Sequence, residues 1–129
     1  MAEVRAGSGR SVLIVEDEYI FQSELERAFR RAGFGVVGPF RVADALKSLS
    51  LFRDGGHPDA IILGIGCADA DLPVLAPALQ SLSVPLLLFS PLGIARPPAG
   101  LEGLRHWSTM RGYDGLVAEI QRQIGSSPV

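Results

Sequence analysis

The sequence predicts a doubly wound α/β domain, with a parallel sheet of five strands and helices on both faces. Three observations predict it. Short aliphatic runs, SVLIV at 11–15, AIIL at 60–63 and PLLLF at 85–89, are apolar at every position, as strands buried on both faces of a parallel sheet are. Between them lie stretches whose apolar residues recur at helical spacing. The alternation of strand and helix repeats about five times, the pattern of an open parallel sheet covered by helices.

Each element has its own signal. Residues 1–10 are small, polar and Gly-rich and read as a flexible leader. Ser11–Val15 is the first strand. Phe21, Leu25, Ala28, Phe29 and Ala32 form one face of an amphipathic helix, with Glu24, Glu26, Arg27, Arg30 and Arg31 opposite, and Gly33 stops it. Gly35–Phe40 is a weaker strand, and Val42, Ala45, Leu46 and Leu49 mark a second helix. Asp54–Pro58 (DGGHP) is a turn by composition. After the third strand, Ala60–Leu63, a loop leads to Asp71, a fitting N-cap. Leu72, Leu75, Ala76, Leu79 and Leu82 are the stripe of a third helix, with Pro73 tolerated in its first turn. Pro85–Phe89 is the fourth strand. Pro91–Gly103, rich in Gly and Pro, reads as a loop or one short irregular helix, Arg105–Met110 as a fifth strand, and Leu116, Val117, Ile120 and Ile124 as a last helix. The domain is placed at 11–124, and the tail 125–129 is expected to fray.

Composition narrows the function. The chain has 129 residues, 47% hydrophobic and 20% charged, which fits one domain with a packed core. Twelve basic against fourteen acidic residues leave a formal net charge of -2, no footprint for nucleic acid or for a charged membrane surface. The single cysteine, Cys67, excludes an internal disulfide, and no Cys/His cluster has zinc spacing. Neither a signal peptide nor a membrane span is legible, so a cytoplasmic protein is expected.

In open α/β sheets ligands sit beyond the carboxyl ends of the strands. There the sequence places Glu16, Asp17 and Glu18 after the first strand, Gly64 after the third, Ser90 after the fourth and Arg111 near the end of the fifth. With these residues in view, VLIVEDE, PDAIILGI and VPLLLFS resemble the three central motifs of the response-regulator receiver domain of two-component signalling, over about Ser11 to Ile124. The likeness is to stand-alone bacterial receivers and implies a flavodoxin-like (βα)5 fold.

The resemblance implies roles residue by residue. Glu16 and Asp17 match the acid pair that helps hold Mg2+. Gly64 stands where the family has the aspartate that accepts the phosphoryl group. Ser90 matches the hydroxyl that contacts that group. Arg111-Gly112-Tyr113 is the best match to a Lys-Pro pair, reached with a gap of one or two residues, and lacks both of them. Glycine has no side chain to form an aspartyl-phosphate, and its presence removes one metal carboxylate. No tightly bound cofactor is expected, and Mg2+ only weakly, since a vestigial pair remains for an ion that favours octahedral oxygen coordination. Arg111 keeps a charge without the compact ammonium of lysine. The resemblance is therefore to a degenerate, or pseudo-receiver, domain.

Each candidate also has a plainer role. Glu16 and Asp17 could be ordinary loop acids, although two adjacent buried carboxylates require a cation, a nearby Arg or a proton. Ser90 could bond local backbone before Pro91. Arg111 could be solvated or ion-paired, or could pair with Glu16 or Asp17 in place of the cation. Trp107 and Tyr113 are the aromatic candidates for reporting a switch state, Trp107 being more often a packing residue; His106 lies beside it. Cys67 as a redox switch needs a lowered pKa, with no His near it in sequence, and His57 reads as a solvated turn residue. Asp69 and Asp71 could replace the missing acceptor, but a loop rarely places a carboxylate for in-line attack.

Three functions compete. The first is a non-enzymatic, phosphorylation-independent signalling domain. It would bind a protein partner, a histidine kinase or another signalling protein, or form a homodimer, through the face that receivers build from their fourth helix, fifth strand and fifth helix. No output domain is expected after the last helix, so the output would act in trans. The second is a receiver phosphorylated at Asp69 or Asp71. The third is a flavodoxin-like cofactor-binding domain, which the three acids after the first strand oppose because they repel a phosphate.

Overall fold

The computed structural model describes residues 10–49, 58–65, 72–90, 101, 103–108 and 111–125. The elements run β1 (Ser11–Val15), α1 (Tyr19–Arg31), β2 (Gly35–Phe40), α2 (Val42–Ser48), β3 (Ala60–Gly64), α3 (Leu72–Gln80), β4 (Leu86–Ser90), β5 (Arg105–Ser108) and α4 (Tyr113–Gly125). The strands form one sheet in the order β2-β1-β3-β4-β5, and every pairing is parallel. This is the flavodoxin-like doubly wound order. Among the described residues no helix is long and apolar enough to cross a membrane.

Alternation along the strands divides the core into two layers. Val12, Ile14, Ala60, Ile62, Leu87, Phe89 and Trp107 pack with Leu25, Ala28 and Phe29 of α1 and Leu116, Val117 and Ile120 of α4. Leu13, Val15, Ile61, Leu63, Leu86 and Leu88 face the other way, onto Val42 and Ala45 of α2 and Leu72, Leu75, Ala76 and Leu79 of α3. The unbroken apolar runs of β1, β3 and β4 follow from this two-sided burial. Fully burying one such side chain contributes about 1.5–3 kcal/mol. The expected helix or loop at 91–103 falls mostly outside the described residues, but Leu101 returns to seal the second layer, 1% exposed.

Two strands end one residue later than the sequence predicts. Gly64 and Ser90 lie inside β3 and β4, because the pairing runs on to Gly64 against Phe89 and then to an Ile65 N–H bond to the Phe89 carbonyl, 2.9 Å. At the start of β4, Pro85 has no N–H to give, and its carbonyl accepts from Ile61 at 2.9 Å. The predicted stop of α1 at Gly33 takes a specific form. Gly33 has φ 95°, its N–H donates to Arg30 and the Phe34 N–H to Phe29, a Schellman ending. The Phe29 and Phe34 rings close it edge to face, 5.2 Å apart.

β2 carries an irregularity that shapes the site. Its register with β1 shifts between Leu13 and Val15, so that Val15 pairs with Phe40. Gly38 sits in the extra stretch with φ 98°; a Cβ there would lie 2.7 Å from the Phe40 nitrogen and 3.0 Å from the Ile14 carbonyl oxygen. Both the dihedral and the space demand glycine. Gly38→Ala should destabilise the fold by about 2 kcal/mol or more, and Gly33→Ala by about 1 kcal/mol. Urea denaturation of the two variants against the parent checks the ranking.

Candidate functional site

The carboxyl ends of β1, β3 and β4 bring Glu16, Gly64 and Ser90 to one end of the sheet, as the sequence predicts. Val15 pairs with Leu63, so the next residues on each strand, Glu16 and Gly64, are neighbours. The Glu16 N–H is fixed by the Phe40 carbonyl beyond the bulge, 2.8 Å, and its own carbonyl accepts from the Gln22 amide of α1, 2.6 Å. With its backbone held on both sides, its side chain turns inward. Glu16 is 2% exposed. Its Oε2 accepts the Glu18 N–H at 2.9 Å, and its Oε1 is buried with no hydrogen-bond partner among the described residues.

That environment disfavours the charged form. Burial is the largest cause, joined by the charges of Asp17 and Glu18 and only partly opposed by the Glu18 and Asp17 backbone N–H groups. Together they raise the Glu16 pKa to about 7. A group with that pKa takes up a proton far more readily than an ordinary glutamate.

Asp17 has a structural task. Its Oδ1 accepts the N–H of Val42, the first residue of α2, at 2.7 Å. The residue at the N-cap, Arg41, makes no side-chain cap of its own, so the loop after β1 supplies the missing acceptor from across the sheet end. A carboxylate at a helix N-terminus is favoured by both hydrogen bonding and the helix dipole.

A divalent cation needs several oxygen ligands converging on one point. Here Glu16 points under Gly64, Asp17 Oδ1 accepts from the first residue of α2, and Gly64 has no side chain to offer. Among the described residues no group of three or more His, Cys, Asp or Glu side chains is placed to hold a metal ion. Among the described residues the expected pair does not converge as a Mg2+ site requires, since Glu16 turns under Gly64 and Asp17 caps α2.

Arg111 does not replace that cation. Its guanidinium carbon lies 4.0 Å from the centre of the Trp107 ring, a cation–π contact, and among the described residues it forms no ion pair with Glu16 or Asp17. The ring beneath it is fixed. Trp107 is 9% exposed and belongs to the α1/α4 layer, its indole N–H donates to the Gly112 carbonyl at 3.0 Å, and its edge abuts the backbone of Gly115. Tyr113 stacks on Phe89, ring centres 6.0 Å apart, and donates its hydroxyl to Glu24 of α1 at 2.5 Å. Burial, then the bond to Glu24 and the charges of Glu24 and Glu16, push its pKa well above the usual phenol range. Ser90 is fully buried and paired with Ser108 in the sheet. His106 is half-buried, with Nε2 unpartnered among the described residues. His57, Cys67, Asp69 and Asp71 lie outside the described residues.

Sequence reasoning found the positions and missed the arrangement. The capping by Asp17 had one sequence signal, an arginine where a helix opening at Val42 wants a small polar residue. The inward turn of Glu16 had another, a glycine level with a glutamate on adjacent strands. The stack of Arg111 on Trp107 had none.

Comparison with solved structures places this geometry. The receiver domain of the Francisella response regulator 1452 superposes with a TM-score of 0.68 at 15% identity, covering 91% of this chain and 98% of that one. A response regulator receiver protein from Sinorhizobium medicae gives 0.69 at 17%, covering 92% and 97%. SdrG from Sphingomonas melonis gives 0.63 at 22%, covering 89% and 95%. The chain has the receiver-domain fold. No family model matches the sequence, and no curated protein matches it. The likeness to these structures is one of fold, and it sets Glu16, Gly64 and Ser90 at the carboxyl end of a receiver-type sheet.

Two predictions follow from the acids. Glu16 titrates near 7 when folded and near 4.5 when unfolded, so between those values the folded state holds a proton that the unfolded state lacks. Its contribution is full below pH 4.5, falls as pH rises, and is lost above about 7. At about 1.4 kcal/mol per unit the change amounts to roughly 3 kcal/mol at most. Urea midpoints at pH 5 and pH 8 should show this decline in the parent and a flatter profile in Glu16→Gln. Asp17→Ala should cost about 1–2 kcal/mol through loss of the α2 cap, and the loss should be the same in urea titrations with and without Mg2+.

Proposed function

We propose that this chain is a receiver-like signalling domain that works through protein contacts, without an aspartyl-phosphate and without enzymatic activity. One observation carries the proposal. At the end of β3, where receiver domains have their acceptor, the backbone of Gly64 meets the buried carboxyl group of Glu16, which supports a site without an aspartyl nucleophile at that position. The remaining functional surface is the outside of the domain.

The partner is a histidine kinase, another signalling protein or a second copy of this chain, and the meeting place is the cytoplasm. The face proposed for it comprises the 91–103 stretch, β5 and α4. On that face Arg105 of β5 reaches Glu119 of α4 at 3.5 Å, and Glu119 is also paired with Arg122, leaving charged groups for a polar rim. Tyr19, Ile20 and Val74 are large apolar side chains left exposed. They stand in the first turn of α1 and of α3, at the site end of the sheet. Net charge of -2 gives neither nucleic acid nor an anionic membrane a reason to bind.

Intact-protein mass after incubation with acetyl phosphate and Mg2+ tests the proposal. The parent should gain no phosphoryl mass, and Gly64→Asp, which supplies a nucleophile and a third carboxylate, should gain it. A gain in the parent overturns the proposal and directs attention to Asp69 or Asp71. A gain in neither shows that the pocket has lost more than its acceptor, the displaced Arg111 first.

A further inference from the structure

The space beside Gly64 is already taken. A Cβ built on Gly64 would lie 2.1 Å from Glu16 Oε1 and 2.8 Å from Glu16 Cδ. Both are far inside van der Waals contact, and Cβ atoms in proteins essentially never come so close. The Val15 carbonyl oxygen, at 3.2 Å, is tight but tolerable. The conflict is therefore with one side chain, not with the walls of the site. The same carboxyl group is anchored at Oε2 by the Glu18 N–H, is 2% exposed, and leaves Oε1 without a partner among the described residues. A glutamate would ordinarily avoid such a place, since burying a polar oxygen unsatisfied is costly. It stays because Gly64 leaves an opening that water or a side chain must fill, and close packing favours the side chain.

We propose that Glu16 and Gly64 form an interlocked pair, in which the Glu16 carboxyl group plugs the position that an acceptor side chain would occupy, and that any side chain at residue 64 must expel Glu16 towards solvent. This rests on the receiver-like reading of the site and extends it. Replacement of the acceptor by glycine is not a simple deletion, because it has converted a residue expected to face the site into one that closes it. Two positions on adjacent strands then depend on each other. Glycine at 64 is required while Glu16 is inward, and Glu16 remains inward only while 64 is glycine. Among the described residues the charged or titratable groups around the plug are Asp17 and Glu18 on its own loop and Tyr113 of α4, which feels the Glu16 charge. None of these supplies a positive charge to hold it, and the observed constraint on its direction is the space left by Gly64.

A double-mutant cycle tests the pair. Gly64→Ala should lower the melting temperature in the parent, and should lower it clearly less, or raise it, in a Glu16→Ala background where the methyl group enters vacated space. Equal shifts in the two backgrounds would overturn the proposal, since contacts of separate residues add. Should Glu16→Ala fail to fold, carbon-13 NMR of the Glu16 carboxyl group in Gly64→Ala gives the answer alone. Expulsion should move its titration midpoint from about 7 towards the ordinary carboxylate range near 4.3, and an unmoved midpoint would refute the plug. These readouts are separate from phosphoryl transfer. The signalling proposal can therefore fail by mass spectrometry while the plug stands, and the plug can fail while the chain remains unphosphorylated.

Discussion

A carboxyl group shut away from water without a counter-charge has to give up its own charge or force something nearby to move. At the end of β1 burial raises the proton affinity of Glu16. Glu16 is fixed by Phe40 on one side and Gln22 on the other, and what it meets is a glycine. The character of the whole site follows from that contact. Among the described residues the oxygens of a metal centre do not converge, because Glu16 faces inward. The arginine that could have served as a counter-ion is free to settle on an aromatic ring.

The scaffold explains how so much is arranged by so few residues. The β1–β2 bulge at Gly38 brings the Phe40 carbonyl to Glu16 and starts α2 next to Asp17. One short loop, Glu16-Asp17-Glu18, therefore ends a strand, plugs a neighbour's vacancy and caps a helix. A receiver fold normally concentrates its chemistry here. In this chain the same residues act as joints between β1, β2, β3 and α2.

Most of the fold was legible because burial on both faces of a parallel sheet writes itself as unbroken apolar runs, and SVLIV and AIIL admit few other interpretations. The ends were less legible: Gly64 and Ser90 extend their strands because hydrogen bonding, not hydropathy, decides where pairing stops. The site was legible as a set of positions and illegible as an arrangement. Glu16 and Asp17 are the same two residue types whether they converge on an ion or turn apart. Their directions depend on backbone contacts to Phe40 and Val42, 24 and 25 residues away in sequence from the acids they hold. Arg111 illustrates the limit most plainly. Its position invited a pairing with the acids, while Trp107, held by Gly112 and against Gly115, offered a nearer and flatter partner.

That indole has a use of its own. The chain contains a single tryptophan, and it sits at the joint between β5 and α4, with a cation above its ring and a carbonyl at its nitrogen. Its ultraviolet emission therefore comes from one place, on the face proposed for a partner. Lifting Arg111 from the ring or loosening the Gly112 bond would alter the charge and polarity around the excited indole, and with them its colour and quantum yield. The protein thus carries an intrinsic optical probe at the place where docking should be felt, and titrations against candidate partners can be followed without a label.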